Sequence, residues 1–198
     1  MNSTDQNWRL FIAIELPDNA LNEIGGLIAQ VDPSIADNVR WTPRNNTHIT
    51  LKFIGDTDPE RFIEIRNGLI EVSNTSAPLK LTLANTGVFP SPYAPKILWV
   101  GLSGETRRLT QLQARVEGAM SRIKITKEDR KFTPHITTGR VHRNISTKSA
   151  GDIGFGWQRI NKPEIRTQIN VNEISLFRSH LDDDSPRYEK LFSTLLTH

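Results

Sequence analysis

The sequence predicts an α+β fold built from antiparallel sheets, and three observations lead there. Helical and extended patterns alternate along the chain. The clearest extended stretch carries polar residues at every second position, as a half-buried strand does, whereas strands of an all-parallel core are apolar on both faces. Finally, Thr42-Pro43-Arg44-Asn45-Asn46-Thr47-His48-Ile49-Thr50 is echoed almost half a chain later by Lys131-Phe132-Thr133-Pro134-His135-Ile136-Thr137. Such an echo points to two related halves and not to a short-period repeat.

Residues 10–14 form a short apolar run closed by Leu16-Pro17 and read as a buried strand. Asp18 or Asn19 then caps a helix with Leu21, Ile24, Ile28 and Val31 on one side, weakened by the Gly25-Gly26 pair. In residues 47–54, Ile49, Leu51 and Phe53 alternate with His48, Thr50 and Lys52. The first three should face the core and the second three a shared polar surface. Asp58-Pro59-Glu60 opens a second helix carrying Phe62, Ile65, Leu69 and Val72. Residues 79–83 alternate as a strand, 87–95 are proline-rich and read as a loop, and 97–102 are strand-like. Leu109, Leu112, Val116, Met120 and Ile123 mark the clearest helix, over residues 105–124. Residues 132–138 repeat the His-Ile-Thr strand, which tolerates Pro134 at its start. Glycines and polar residues make 143–161 mostly loop. Two final strands, 172–177 and 188–196, are joined through Asp182-Asp183-Asp184-Ser185-Pro186.

At 198 residues, with 36% hydrophobic and 24% charged side chains, residues 1–198 are expected to form a single globular domain. The formal charge of +3 fits an anionic partner without demanding one. The absence of cysteine excludes disulfides, thiolate catalysis and cysteine-ligated metals. A polar start, and no apolar run near the ~20 residues that cross a bilayer, predict a soluble cytoplasmic protein.

The chemistry lies in the two His-Ile-Thr triplets. Residues i and i+2 of a strand share a face, so each triplet sets an imidazole beside a hydroxyl, with an isoleucine anchoring it from behind. Two imidazoles suit phosphodiester chemistry without a metal. With ordinary pKa values of ~6.5, a neutral ring accepts a proton while its protonated partner donates one. Threonine hydroxyls and nearby cations then hold the non-bridging oxygens as charge develops. Chance supplies roughly half of one such triplet in a chain with five histidines. A lone strand histidine is more often structural. Strand setting, matched flanks and spacing lift the pair above that background.

Four stretches then carry a resemblance: Arg9-Leu10-Phe11-Ile12-Ala13-Ile14, His48-Ile49-Thr50-Leu51-Lys52-Phe53-Ile54-Gly55, Phe132-Thr133-Pro134-His135-Ile136-Thr137 and Ser175-Leu176-Phe177-Arg178-Ser179. Together they resemble the 2H phosphoesterase superfamily, in particular its RNA 2′,3′-cyclic phosphodiesterase branch of 2′-5′ RNA ligase-like proteins. The resemblance implies a bilobal fold, two pseudo-symmetric antiparallel sheets each backed by helices, with an active-site groove between the lobes. It implies a partner RNA with a 2′,3′-cyclic phosphate end, tRNA halves among the candidates, opened to a 2′-phosphate. His48 matches the proton donor to the 3′ oxygen, His135 the base that activates water, and Thr50 and Thr137 the phosphate-holding hydroxyls. No cofactor or metal is implied, and the chain is expected to act as a monomer. Thr138 stands where the family often has leucine and should face away from the groove.

Lys52, on the strand face of His48, and Arg178 are the expected substrate-binding cations, and Phe132 an expected substrate-binding aromatic. Trp41, Phe89 and Tyr93 are further stacking candidates. Arg44, Arg130, Lys131 and Arg140 lie near the motifs but read as readily as solvated surface. His180 beside Asp182, Asp183 and Asp184 admits a divalent metal, and a polar hairpin tip explains it equally well. Three other activities fit the same residues: 2′-5′ RNA ligation or its reverse, turnover of a small cyclic-phosphate metabolite, and non-catalytic binding of RNA ends or nucleotides.

Overall fold

The computed structural model of the chain describes residues 7–160, 167–181 and 186–198. The first apolar run forms β1 (Trp8–Glu15), in which every residue from Leu10 to Ile14 is buried. Both faces of β1 are covered, which is why its apolar run is continuous. Leu10, Ile12 and Ile14 join the main core; Phe11 and Ala13 join a small second cluster with Phe177 and Tyr188 on the opposite face.

The chain adopts the expected α+β class, with two antiparallel sheets. The first has the order β3 (His48–Thr57), β1, β8 (Glu173–Leu181), β9 (Pro186–Leu195). The second has the order β2 (Val39–Trp41), β6 (His135–Val141), β5 (Ile97–Gly104), β4 (Leu79–Phe89), β7 (Gln168–Val171). The first sheet is thus assembled from the early and late parts of the chain, the second mainly from its middle. β3 and β6, the strands of the two histidine triplets, lie against each other where the sheets meet.

The helices follow their apolar spacing. α1 (Asp18–Ile28) buries Ala20, Ile24 and Leu27, and Gly25 and Gly26 fall on its solvent side, where they disturb no packing. After the short α2 (Pro33–Ala36), α3 (Phe62–Asn74) buries Ile65, Leu69 and Val72. It packs on α4 (Thr106–Arg122), which buries Leu109, Leu112 and Val116.

Several expectations change. Residues 143–161 are not mostly loop, because they contain α5 (Thr147–Arg159). Ser146 caps it by accepting from the Ser149 N–H, and Ile153 and Trp157 bury at i, i+4 spacing. Of its glycines, Gly154 is demanded by tertiary contact, since a Cβ there would stand 2.1 Å from the Pro92 carbonyl oxygen, whereas Gly151 faces open space. β4 runs on to Phe89 and so shortens the proline loop, while β2 and β7 are too short to register as periodic patterns. The acidic run Asp182, Asp183, Asp184 and the following Ser185 lie outside the described residues.

Candidate active site

Matched irregularities shape the histidine strands. On β3, Thr50 pairs with Ala13 but Lys52 pairs with Ile12, so Leu51 is an extra residue, a β-bulge. On β6, Thr137 pairs with Trp99 but Gly139 pairs with Leu98, so Thr138 is the extra residue. Directly paired residues share a face, and each bulge therefore shifts the alternation by one. The surface presented at the seam then carries the histidine, the threonine two residues on, and the residue five on. These are His48, Thr50 and Phe53 on β3, and His135, Thr137 and Arg140 on β6. A cleft of about 140 Å³ at this seam is lined by His48, Thr50, Phe53, Thr137, Arg140 and Tyr188, among others. His135 does not line that cavity itself but stands on the strand face of Thr137, beside it.

The bulge overturns the expected position of Lys52. Its partner Ile12 faces the main core, so Lys52 points inward and is only 3% exposed. Its ammonium donates to both Glu117 oxygens, at 3.0 and 2.9 Å, and to the Thr126 carbonyl at 2.9 Å. All three of its hydrogens are used. Phe53, expected in the core, takes the groove-facing place and is 65% exposed.

Both imidazoles are held alike. His48 Nδ1 lies 2.8 Å from the Asn46 carbonyl, and His135 Nδ1 lies 2.7 Å from the Thr133 carbonyl, in each case two residues upstream. A carbonyl only accepts, so Nδ1 carries the hydrogen and Nε2 is the basic nitrogen in each neutral ring. His48 Nε2 accepts from the Thr50 hydroxyl at 2.9 Å. His135 Nε2 has no hydrogen-bond partner among the described residues.

The surroundings disfavour the charged form of both rings. Phe11 lies tilted against His48 at 4.9 Å, and Tyr188 meets it edge-on at 5.5 Å. This burial, reinforced by the nearby charge of His135, pushes the His48 pKa down to about 4 despite the Asn46 hydrogen bond. His135, edge-on to Phe89 at 5.2 Å, is also lowered by burial. Tyr188 is raised by burial, against the pull of Arg140, Arg9 and Arg40. Those arginines mark the seam as cationic. Among the described residues, no three His, Cys, Asp or Glu side chains converge as metal ligands.

The remaining candidates scatter. Arg178 pairs with the core residue Leu10 and stacks over Trp8 at 4.8 Å, on the face away from the cleft; strand alternation gives the cleft side to Phe177. Phe132 packs half-buried against the main core, away from the cleft lining. Arg44 is held by Asp18 and Asn22, and Arg130 by Glu128. His180 bonds Glu189 at 2.7 Å. Thr138 faces away from the cleft, 1% exposed. Tyr188, Arg40 and Phe53 escape a reading by motif: Phe53 because strict alternation assigns it to the core, the others because they lie outside the triplets. No helix among the described residues is long and apolar enough to cross a membrane.

The model of the family described as LigT-like phosphoesterase matches the chain twice, over residues 14–99 and 100–188. The chain belongs to this family. Each match contains one histidine triplet, so the LigT-like pattern itself repeats as the internal echo does. A curated relative, the RNA 2′,3′-cyclic phosphodiesterase of Methanocaldococcus jannaschii, is 28% identical over 181 residues, covering 91% of this chain and 96% of that protein. The fold is shared with a protein of Thermus thermophilus (TM-score 0.76, 22% identity, 95% of this chain and 97% of that one). It is shared too with E. coli LigT complexed with 3′-AMP (TM-score 0.74, 24% identity, 98% of this chain and 100% of that one).

Proposed function

We propose that this LigT-like phosphoesterase hydrolyses 2′,3′-cyclic phosphate ends of RNA to 2′-phosphomonoesters, without a metal, through His48 and His135. The observation that carries the reading is the matched anchoring of the two rings, which leaves two Nε2 atoms as proton-transfer sites beside one cleft. The relatives' names supply the substrate class. His135 Nε2 takes the proton of the attacking water as its oxygen bonds phosphorus. His48 Nε2 gives a proton to the 3′ oxygen as the P–O3′ bond breaks, leaving the phosphate on the 2′ oxygen. Thr50 and Thr137 steady the non-bridging oxygens, and Phe53 offers its face to the terminal base.

A donor role for His48 requires a proton that the free protein lacks at neutral pH. The substrate supplies the condition for it: a phosphate anion beside the ring favours imidazolium and offsets burial. Once Nε2 is protonated it no longer accepts from Thr50, which frees the hydroxyl hydrogen for a phosphate oxygen and leaves the Nε2 hydrogen for the 3′ oxygen.

The test is product analysis on an RNA oligomer with a cyclic end, in excess chelator, for wild type, His48→Ala and His135→Ala. A 2′-phosphate product with wild type, and loss of turnover in both variants, is expected. Full activity in either variant sinks the two-histidine mechanism, loss with chelator reinstates a metal, and a 3′-phosphate reverses the broken bond. The pH profile of kcat/KM should be bell-shaped, with the kcat profile displaced to higher pH by the bound anion. A simple sigmoid counts against paired acid and base.

A further inference from the structure

Arg40 and Arg140 stand directly opposite each other on β2 and β6, both exposed, with no carboxylate paired to either among the described residues. Like charges so placed repel each other in a sheet, and an anion lying between them relieves the repulsion. The same two side chains line both the histidine cleft and a broad groove that continues past Lys96, His142 and Arg143. No aspartate or glutamate lines that groove among the described residues. Tyr93 stands on its rim, 72% exposed, with its ring edge-on to Phe155 of α5 at 5.0 Å. The loop bearing Tyr93 is pinned, because Pro92 occupies the space that any side chain at Gly154 would need.

We infer that this groove carries the single-stranded RNA leading into the cleft, so that the protein prefers oligomer ends to cyclic mononucleotides. The inference rests on the cyclic-phosphate reading for the identity of the end. Phosphates preceding the terminal nucleotide meet Arg40 and Arg140, then Lys96 and Arg143, and a base stacks on Tyr93. Along β6, roughly 13 Å of strand separates Thr137 from Val141, more than one nucleotide step. A mononucleotide cannot reach from the histidines to Lys96 and Arg143; an oligomer can. The arginines act by charge and require no base-specific contact, so the preference is for length and not for sequence.

The test uses a fluorescent oligoribonucleotide ending in a 2′-phosphate, with binding read by anisotropy across a salt series. Beside it, kcat/KM is measured for a cyclic-ended oligomer and for a cyclic mononucleotide. Lys96→Gln combined with Arg143→Gln should reduce the slope of log affinity against log salt by about 1.4, two single-strand phosphate contacts. Tyr93→Ser should weaken oligomer binding about tenfold. Gly154→Ala, which displaces the Tyr93 loop without altering charge, should lower the ratio of oligomer to mononucleotide kcat/KM. Removing equal charge from α4, by Arg107→Gln with Arg122→Gln, should leave the slope as in wild type. Wild-type binding and slope in the groove variants, or an equal loss in the α4 control, overturns the inference. If neither cyclic end is turned over, the phosphodiesterase reading fails, while the binding measurements still decide whether the groove holds RNA.

Discussion

Replacing Lys52 by methionine asks directly whether this lysine serves the substrate or the fold. The substitution keeps most of the stem and removes the ammonium. The Lys52 side chain is 1% exposed and its Glu117 partner 15%. Removing one partner of a buried ion pair costs about 3–5 kcal/mol, largely by stranding the other charge. Glu117 retains some water and has Gln113 Nε2 at 3.5 Å, which places Lys52→Met near the lower end, about 3 kcal/mol. Glu117→Gln strands the more deeply buried ammonium and should cost more, about 4 kcal/mol. For a chain of this length, about 2–4 °C per kcal/mol makes the Lys52→Met loss a fall of roughly 10 °C in Tm. Equilibrium urea unfolding at a shared m value gives the energy, and Lys52→Met with Glu117→Leu should recover most of it. The KM for a cyclic nucleotide should stay at the wild-type value. A variant as stable as wild type but with a raised KM would refute the inward orientation of Lys52 and restore it to the groove.

Three further outcomes follow from the site. His48 is held near 4 in the folded chain against ~6.5 unfolded, so between those values the unfolded chain binds the extra proton. Stability should therefore be complete above about pH 6.5 and fall toward pH 4, by on the order of 3 kcal/mol from this ring; His48→Phe should flatten that part of the urea-midpoint profile, and an unchanged slope would contradict it. Thr138 Oγ1 is buried without a hydrogen-bond partner among the described residues, so Thr138→Val should be neutral or stabilise by up to about 1 kcal/mol, and a clear loss in thermal denaturation would reveal a bond to that hydroxyl. Phe53→Ala should change stability by no more than about 0.5 kcal/mol, because the ring is exposed. The same variant should raise the KM for a cyclic nucleotide about tenfold; an unchanged KM would remove the base from that side.

What the sequence made legible, and what it hid, divides along physical lines. The helices α1, α3 and α4 and the strand β1 are written in local periodicity, which depends on each segment alone. The histidine and threonine of each triplet are legible for the same reason, since i and i+2 share a face in any strand. Three residues farther along, the rule fails, because a bulge is set by how β3 pairs with β1 and β6 with β5. That single unseen residue sends Lys52 to the core and Phe53 to the cleft. α5 was hidden differently: Gly151, Gly154 and Gly156 lower its helix propensity, and the contacts that make Gly154 necessary come from a loop some sixty residues away in the chain. Tyr188 and Phe177 belong to β9 and β8 and join the His48 surroundings only through sheet order, which no local pattern records.

The matched bulges also settle a problem that duplication creates. A site with two equivalent halves would accept a phosphodiester in either of two orientations, and one of them would set the base against the wrong imidazole. Under the proposed reading, the fifth residue after each histidine would break the tie, with a flat, uncharged ring on one side and a guanidinium on the other. An RNA end is itself lopsided, a base toward one flank and a trail of negative charge toward the other. Two irregularities of the same shape, filled by unlike side chains, thus give a nearly symmetric cleft a heading.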